Sequence, residues 1–307
     1  MSDYIPGIPG SLDDEGRSLT AALQAIARPV SPFRYSAWNA GLPALSREYQ
    51  ANTPIPHIFL PHFLEPQVAR QIAGEFLAFN TAAWTHYQHH NENKLGLAKR
   101  DCFPRALGAV TDELNSPEFV SWLSALTGIP SLIADPMLEG GGLHHSTREG
   151  FLNIHTDFSH HHYHKHWRRR LNLILYLNES WQEEWGGSIE LWDSTMRRCV
   201  AKYPPRLNHA LIFNTDERSF HGFPEPLQCP EGVSRKSLAL YYYTVDDSTK
   251  ATIRSTNYRA RPSDGPGKAA MIWLDKQAVD LYSRAKARFR FSDQFASKIL
   301  GLISKKR

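Results

Sequence analysis

From Phe151 onward, apolar and polar positions alternate in short bursts: FLNIHTDF, RRLNLILYLN, GSIELWD, RLNHALIFN and SLALYYYT. Each is about a strand long, rich in β-branched and aromatic residues, and bounded by Gly, Pro, Asn or Asp. Strands at this spacing, with no helical period between them, predict an antiparallel sandwich or barrel, the group that includes jelly rolls. The pattern before Phe151 differs. IPHIFLPHFLEPQVARQIAGEF, from Ile55, predicts a short strand, a turn and an amphipathic helix with Pro66 in its first turn. NSPEFVSWLSALTGI predicts a second amphipathic helix, N-capped by Asn115 or Ser116 and ending near Gly128. Helices first and strands later give an α+β or mainly-β enzyme core. The polar stretch His86–Asp101 predicts a mobile loop. Residues 1 to about 55 are rich in Pro, Gly and Ser, with one helix expected over SLTAALQAIA, and from about Gly265 the chain turns helical and basic.

Composition narrows the class. The 307 residues are 41% hydrophobic and 21% charged, as in an ordinary globular enzyme with a substantial core. No apolar stretch is long enough to span a bilayer. The start lacks the basic and apolar regions of a secretory signal. The cysteines, Cys102, Cys199 and Cys229, are too few and too scattered for a disulfide framework or a zinc finger, so a cytoplasmic protein with reduced thiols is expected. A net charge of +4 is too weak to argue for nucleic acid. The basic tail is expected to pack as a solvated amphipathic helix, with an anionic partner as the other reading. Oligomeric state is not legible.

The chemistry lies in one spacing. On a strand, residues i and i+2 share a face, so His155 and Asp157 in NIHTDF present an imidazole and a carboxylate side by side. A third ligand must come from another strand, and His221 follows the apolar burst HALIFN. Two His and one carboxylate on one face make the facial triad of non-haem Fe(II) oxygenases, which leaves positions open for an oxo-acid and dioxygen. The oxo-acid's second carboxylate needs a cation. Arg235 suits it through its planar fork, and Ser237, on the same face, adds a hydroxyl donor. Taken singly, each residue has a plainer reading: a solvent-facing polar pair, a surface ion pair, a core aromatic.

With HTD, SFHGFP, RKS and LYLNESW…EWGGSIELWD in this order, the chain resembles the Fe(II)/2-oxoglutarate-dependent dioxygenase superfamily, in its prolyl 4-hydroxylase-like branch. The resemblance implies a double-stranded β-helix (jelly-roll, cupin-like) core with supporting helices. In that fold, segments such as His86–Asp101 often cover the substrate, which makes Lys94 and Arg100 candidate substrate contacts. It places the dioxygenase domain over residues 55–246, between an extension over 1–54 and a basic, partly helical extension over 247–307 packed on or near the core. It implies that His155, Asp157 and His221 bind Fe(II) and that Arg235, assisted by Ser237, binds 2-oxoglutarate. Tyr176 matches a family tyrosine that touches the co-substrate, and His145, beside His144, stands where the family often has another tyrosine. Dioxygen is then a co-substrate, ascorbate a reactivating reductant, and succinate and carbon dioxide products. Asp157 argues for oxygen insertion rather than halogenation, since related halogenases have a small residue there. The substrate is a small molecule or natural-product intermediate, or alternatively a prolyl or other side chain of a protein. Desaturation and cyclisation stay open as outcomes, and a non-catalytic metal-binding barrel is the remaining class.

His160, His161, His162, His164 and His166, in the run that follows Asp157, are expected to form a loop near the cavity mouth and not to ligate the metal.

Overall fold

The apolar bursts pair with one another. The computed structural model describes residues 31–289 apart from 79, 82, 247 and 249–252. Its strands are β1 (His57–Leu60), β2 (Thr85–His89), β3 (Glu92–Leu97), β4 (Ile133–Ala134), β5 (Gly142–Ser146), β6 (Phe151–Thr156) and β7 (Trp167–Tyr176). They continue with β8 (Ile189–Trp192), β9 (Cys199–Tyr203), β10 (His209–Asn214), β11 (His221–Phe223), β12 (Arg235–Val245) and β13 (Asn257–Tyr258). All the pairings are antiparallel, in the order β1-β10-β7-β12-β5-β3-β6-β11-β8-β9, with β2 on β3, β4 on β12 and β13 on β6. The sheet curls into a nearly closed barrel, a double-stranded β-helix, as the strand spacing predicts.

Alternation decides what each wall shows. On β7, Leu171, Leu173 and Leu175 point outward into the main core, while Asn172 and Ile174 face the cavity inside. On β12, Leu238, Leu240 and Tyr242 join that core, and Arg235, Ser237, Ala239 and Tyr241 line the interior. The outer core is covered by four helices: α1 (Tyr35–Ala51), α2 (Pro66–Gly74), α3 (Arg105–Leu114) and α4 (Pro117–Thr127). Each fully buried Leu contributes about 1.5–3 kcal/mol, so this face anchors the barrel. Ser116 is the cap of α4, its hydroxyl accepting from Phe119 N at 3.2 Å, and Gly128 ends the helix at φ +70°.

Two segments differ from expectation. The polar stretch His86–Asp101 is mostly a hairpin, β2 and β3, and β3 is inserted between β5 and β6. Its inner face borders a polar cavity, so the apolar alternation that marks a strand is missing. Arg100, expected at the substrate, instead pairs with Asp112 at 2.6 Å. Helix α1 was not expected in a Pro-rich extension. It tolerates Pro43 and is tied down by Tyr49, whose hydroxyl donates to Asn214 Oδ1 at 2.6 Å. The helix expected over SLTAALQAIA lies outside the described residues. A fifth helix, α5 (Pro266–Phe289), follows β13, and no described helix is long and apolar enough to cross a membrane.

Candidate active site

Antiparallel pairing of β6 with β11 sets His155 opposite His221, and the extended chain after β6 brings Asp157 to the same face. Their ligand atoms all lie within 4.8 Å of one another. Asp157 Oδ1 is 3.6 Å from His155 Nε2, and Oδ2 is 3.6 Å from His221 Nε2. Each imidazole is fixed from behind. His155 Nδ1 donates to Asn153 O at 2.9 Å and His221 Nδ1 to Ser219 O at 2.8 Å. A carbonyl can only accept, so both protons sit on Nδ1 and both Nε2 lone pairs face the centre, the tautomer a metal requires. Burial pushes His221 down to about 4, against the opposing pull of Asp157, so the ring is neutral.

Asp157 has its own support. Asn172 Nδ2 donates to its Oδ2 at 2.8 Å, and Arg169 Nη2 lies 3.2 Å from the same oxygen. The Arg169 Nε and Nη2 groups also donate to Asn172 Oδ1, which locks the amide's orientation. Arg169 is itself sandwiched by Tyr241, whose ring centroid is 3.3 Å from Cζ, and by Phe158 at 4.6 Å. Burial would raise the Asp157 carboxyl, but the Arg169 guanidinium beside it overcomes this and holds it well below the usual range. Asn172 and Arg169 were missed at the sequence level. The signal was there, since Asn172 lies two and four residues before Ile174 and Tyr176 on the inward register of β7.

Further along the same cavity, of about 270 Å³, lies Arg235, 5% exposed. Its Nε donates to Gly187 O at 2.8 Å, Nη2 sits 3.4 Å from the Tyr176 hydroxyl, and Phe223 lies under the guanidinium with its centroid 4.2 Å away. No carboxylate among the described residues pairs with Arg235. A buried cation with that void is costly, and an anionic ligand offsets the cost. Ser237, 1% exposed, lines the cavity beside it, and Tyr176 is buried at the back of the barrel against Arg235.

His145 is a correction. The alternation on β5 turns His144, not His145, to the cavity. His145 points the other way, between Phe76 and Trp84 with ring centroids 5.7 and 5.4 Å away, and burial lowers it to about 4. Adjacent histidines made the inward one ambiguous by spacing alone.

The histidine run is stapled by carboxylates. His160 lies 3.6 Å from Asp246, His161 3.4 Å from Asp135 and His162 2.9 Å from Glu139. His161 Nδ1 accepts from the backbone N–H groups of Tyr163 and His164, and His164 stacks on Trp167. His162 reaches the cavity wall, but none of the five belongs to the group that can hold a metal ion.

Residues 141–243 match the family model described as the 2OG-Fe(II) oxygenase superfamily. No curated protein matches the chain. Among solved structures, the chain is similar to a Trichoplax adhaerens prolyl hydroxylase in complex with a hypoxia inducible factor peptide fragment. That match has 17% identity and a TM-score of 0.50, and covers 68% of this chain and 94% of that one. A Phytophthora capsici prolyl 4-hydroxylase matches at 17% identity and TM-score 0.48, over 71% of this chain and 68% of that one. HygX from Streptomyces hygroscopicus, with nickel, 2-oxoglutarate and hygromycin B, matches at 13% identity and TM-score 0.42, over 66% and 92%. The Trichoplax likeness shows the fold, and the segment matched by the family model contains His155, Asp157, His221 and Arg235. Residues 141–243 are thus similar to the 2OG-Fe(II) oxygenase superfamily, and the His155, Asp157 and His221 group that could hold a metal ion lies inside that segment.

Proposed function

We propose that the enzyme hydroxylates an unactivated C–H bond of a small molecule, with release of succinate and carbon dioxide. In this reading His155 and His221 Nε2 and the Asp157 carboxylate hold Fe(II). The donor set fits: two imidazoles each held through Nδ1 by a backbone carbonyl, and one ionised carboxylate, on one face. Arg235 receives the distal carboxylate of 2-oxoglutarate, with Ser237 and Tyr176 beside it. The observation that carries the reading is the Arg235 guanidinium, buried without an acidic partner in the cavity that the triad shares. Iron bound there would couple decarboxylation of the oxo-acid to activation of dioxygen.

The chain's own residues bind, orient and exclude water. Asn172 and Arg169 hold Asp157 ionised and correctly turned. Phe158, Tyr241 and Tyr258 wall the cavity with aromatic surface, which keeps bulk water from the reacting centre. A small substrate is favoured by the cavity's modest volume, part of which 2-oxoglutarate itself fills, and by Tyr258, whose ring stands 5.4 Å from that of His155 at the metal end.

The test is an anaerobic titration of the protein with Fe(II) and 2-oxoglutarate, watching for the visible metal-to-ligand charge-transfer band. The wild type should develop it, and Asp157→Ala and Arg235→Ala should weaken or lose it. Equal iron binding by all three proteins without a band would refute the assignment. Substrate size is read separately, by 2-oxoglutarate-dependent succinate release with a dialysable metabolite extract against a peptide library. Stimulation by peptides alone would make the enzyme a peptidyl hydroxylase.

A further inference from the structure

Strand β3 presents Glu92 and Lys94 to the cavity, on a wall that the proposed iron and 2-oxoglutarate chemistry leaves unused. Both belong to a buried ladder of alternating charge. Asp275 on α5 lies 2.6 Å from His89 Nδ1, His89 Nε2 lies 2.9 Å from Glu92 Oε1, and Glu92 Oε2 lies 3.1 Å from the Lys94 ammonium. Asn91 fastens the helix to the hairpin, its Nδ2 donating to Asp275 Oδ2 at 2.6 Å and to Ile272 O at 3.2 Å. Removing four charges from water is expensive, and an apolar filling of the same space is often as stable. Stability alone therefore does not account for the ladder.

Its inner end does. An ammonium carries three donors, and Glu92 is the only carboxylate paired with Lys94 among the described residues. Lys94 itself lines the cavity. The register pairs Leu95 with His145 and Arg235 with Ser146, and continued by one residue it brings Lys94 alongside Ser146. Two strand spacings separate the two cations, roughly 10 Å between backbones, so the wall offers a second anion position beside the one assigned to 2-oxoglutarate.

We propose that Lys94 is the specificity-determining cation of the substrate pocket, receiving a carboxylate of the small-molecule substrate, and that Asp275 positions it through His89 and Glu92. This rests on the functional reading above, which assigns Arg235 to the co-substrate. The substrate class is then a small organic acid, oxidised at a carbon away from its carboxylate.

The test uses the full chain loaded with Mn(II) and saturated with 2-oxoglutarate, so that the Arg235 position is filled. Benzoate, phenylacetate and cinnamate are titrated calorimetrically against their primary amides, in the wild type and in Lys94→Met, Lys94→Arg and Asp275→Asn. At least one acid should bind the wild type about tenfold or more tightly than its amide, as one charge-assisted hydrogen bond gives. Lys94→Met should abolish that preference while leaving amide binding intact, Lys94→Arg should restore most of it, and Asp275→Asn should reduce it. No acid outbinding its amide in the wild type, or a preference that survives in Lys94→Met, overturns the proposal. Affinity for 2-oxoglutarate is measured in the same proteins. Its absence in the wild type would sink the cofactor reading instead, and the acid and amide titrations repeated without 2-oxoglutarate would still decide the role of Lys94.

Discussion

At the scale of single residues, the site divides into groups that should touch ligands and groups that hold them. Arg235→Met removes a buried charge-assisted contact, so 2-oxoglutarate affinity should fall about 100-fold while affinity for Mn(II) alone stays near wild type; calorimetry separates the two. Asn172→Leu has the opposite signature. Asp157 loses a hydrogen bond and Arg169 loses the acceptor that orients it, so metal affinity should drop about 10–100-fold, measured by competition with a fluorescent chelator. The residues proposed to touch ligands were legible because strand alternation fixes which side chains converge: His155 and Asp157 by their own spacing, Arg235 and Ser237 by theirs. Asn172 and Arg169 escaped notice because they act through Asp157, and no ligand-spacing rule points to a residue behind a ligand. His145 was misplaced because alternation names a face only once its phase is known: Leu143, buried in the main core, shares a face with His145, which leaves His144 for the cavity.

The elements show the same logic. Strands β7, β10 and β12 announced themselves because their outer faces meet the helix layer, and β6 and β8 because Ile154, Ile189 and Leu191 enter smaller apolar clusters. Leu173 is such a position, fully buried under the helices. Leu173→Ala should cost about 2–5 kcal/mol in urea-induced unfolding, without altering the ratio of metal to 2-oxoglutarate affinity in the folded fraction. Strand β3 hid because its inward residues, Glu92 and Lys94, are charged, and a cavity wall has no reason to be apolar. Helix α1 hid for another reason: Pro43 interrupts its sequence pattern, and its attachment runs through Tyr49 and Trp38, whose indole N–H donates to Phe63 O at 3.0 Å, partners invisible to local reasoning.

Across the whole molecule, stability should respond to pH and to metal. Burial would lower His89, but Asp275 and Glu92 prevail and raise it from 6.5 to about 9. A group with a raised folded-state pKa stabilises fully below its unfolded value and loses that contribution as pH climbs through the folded one. The melting temperature should therefore decline between pH 6.5 and about 9, and decline less in Asp275→Asn. Metal acts by mass action, since the unfolded chain has no assembled triad. Mn(II) at 100 times its Kd should add about 2.7 kcal/mol, and a chelator should reverse the gain.

The strand order carries a consequence for how the chain is made. Strand β1 pairs only with β10 in the sheet, and β10's Ile212 lies opposite Ile58. Ribosomes add about 5–20 residues per second, so Ile58 waits roughly 8–30 s for its neighbour. During that interval His57–Leu60 is an apolar edge without a mate, and the helices beside it have no sheet to cover. Nascent chains of this protein should be chaperone clients until β10 emerges from the exit tunnel, and ribosome-bound intermediates stalled before and after that point should differ sharply in protease resistance.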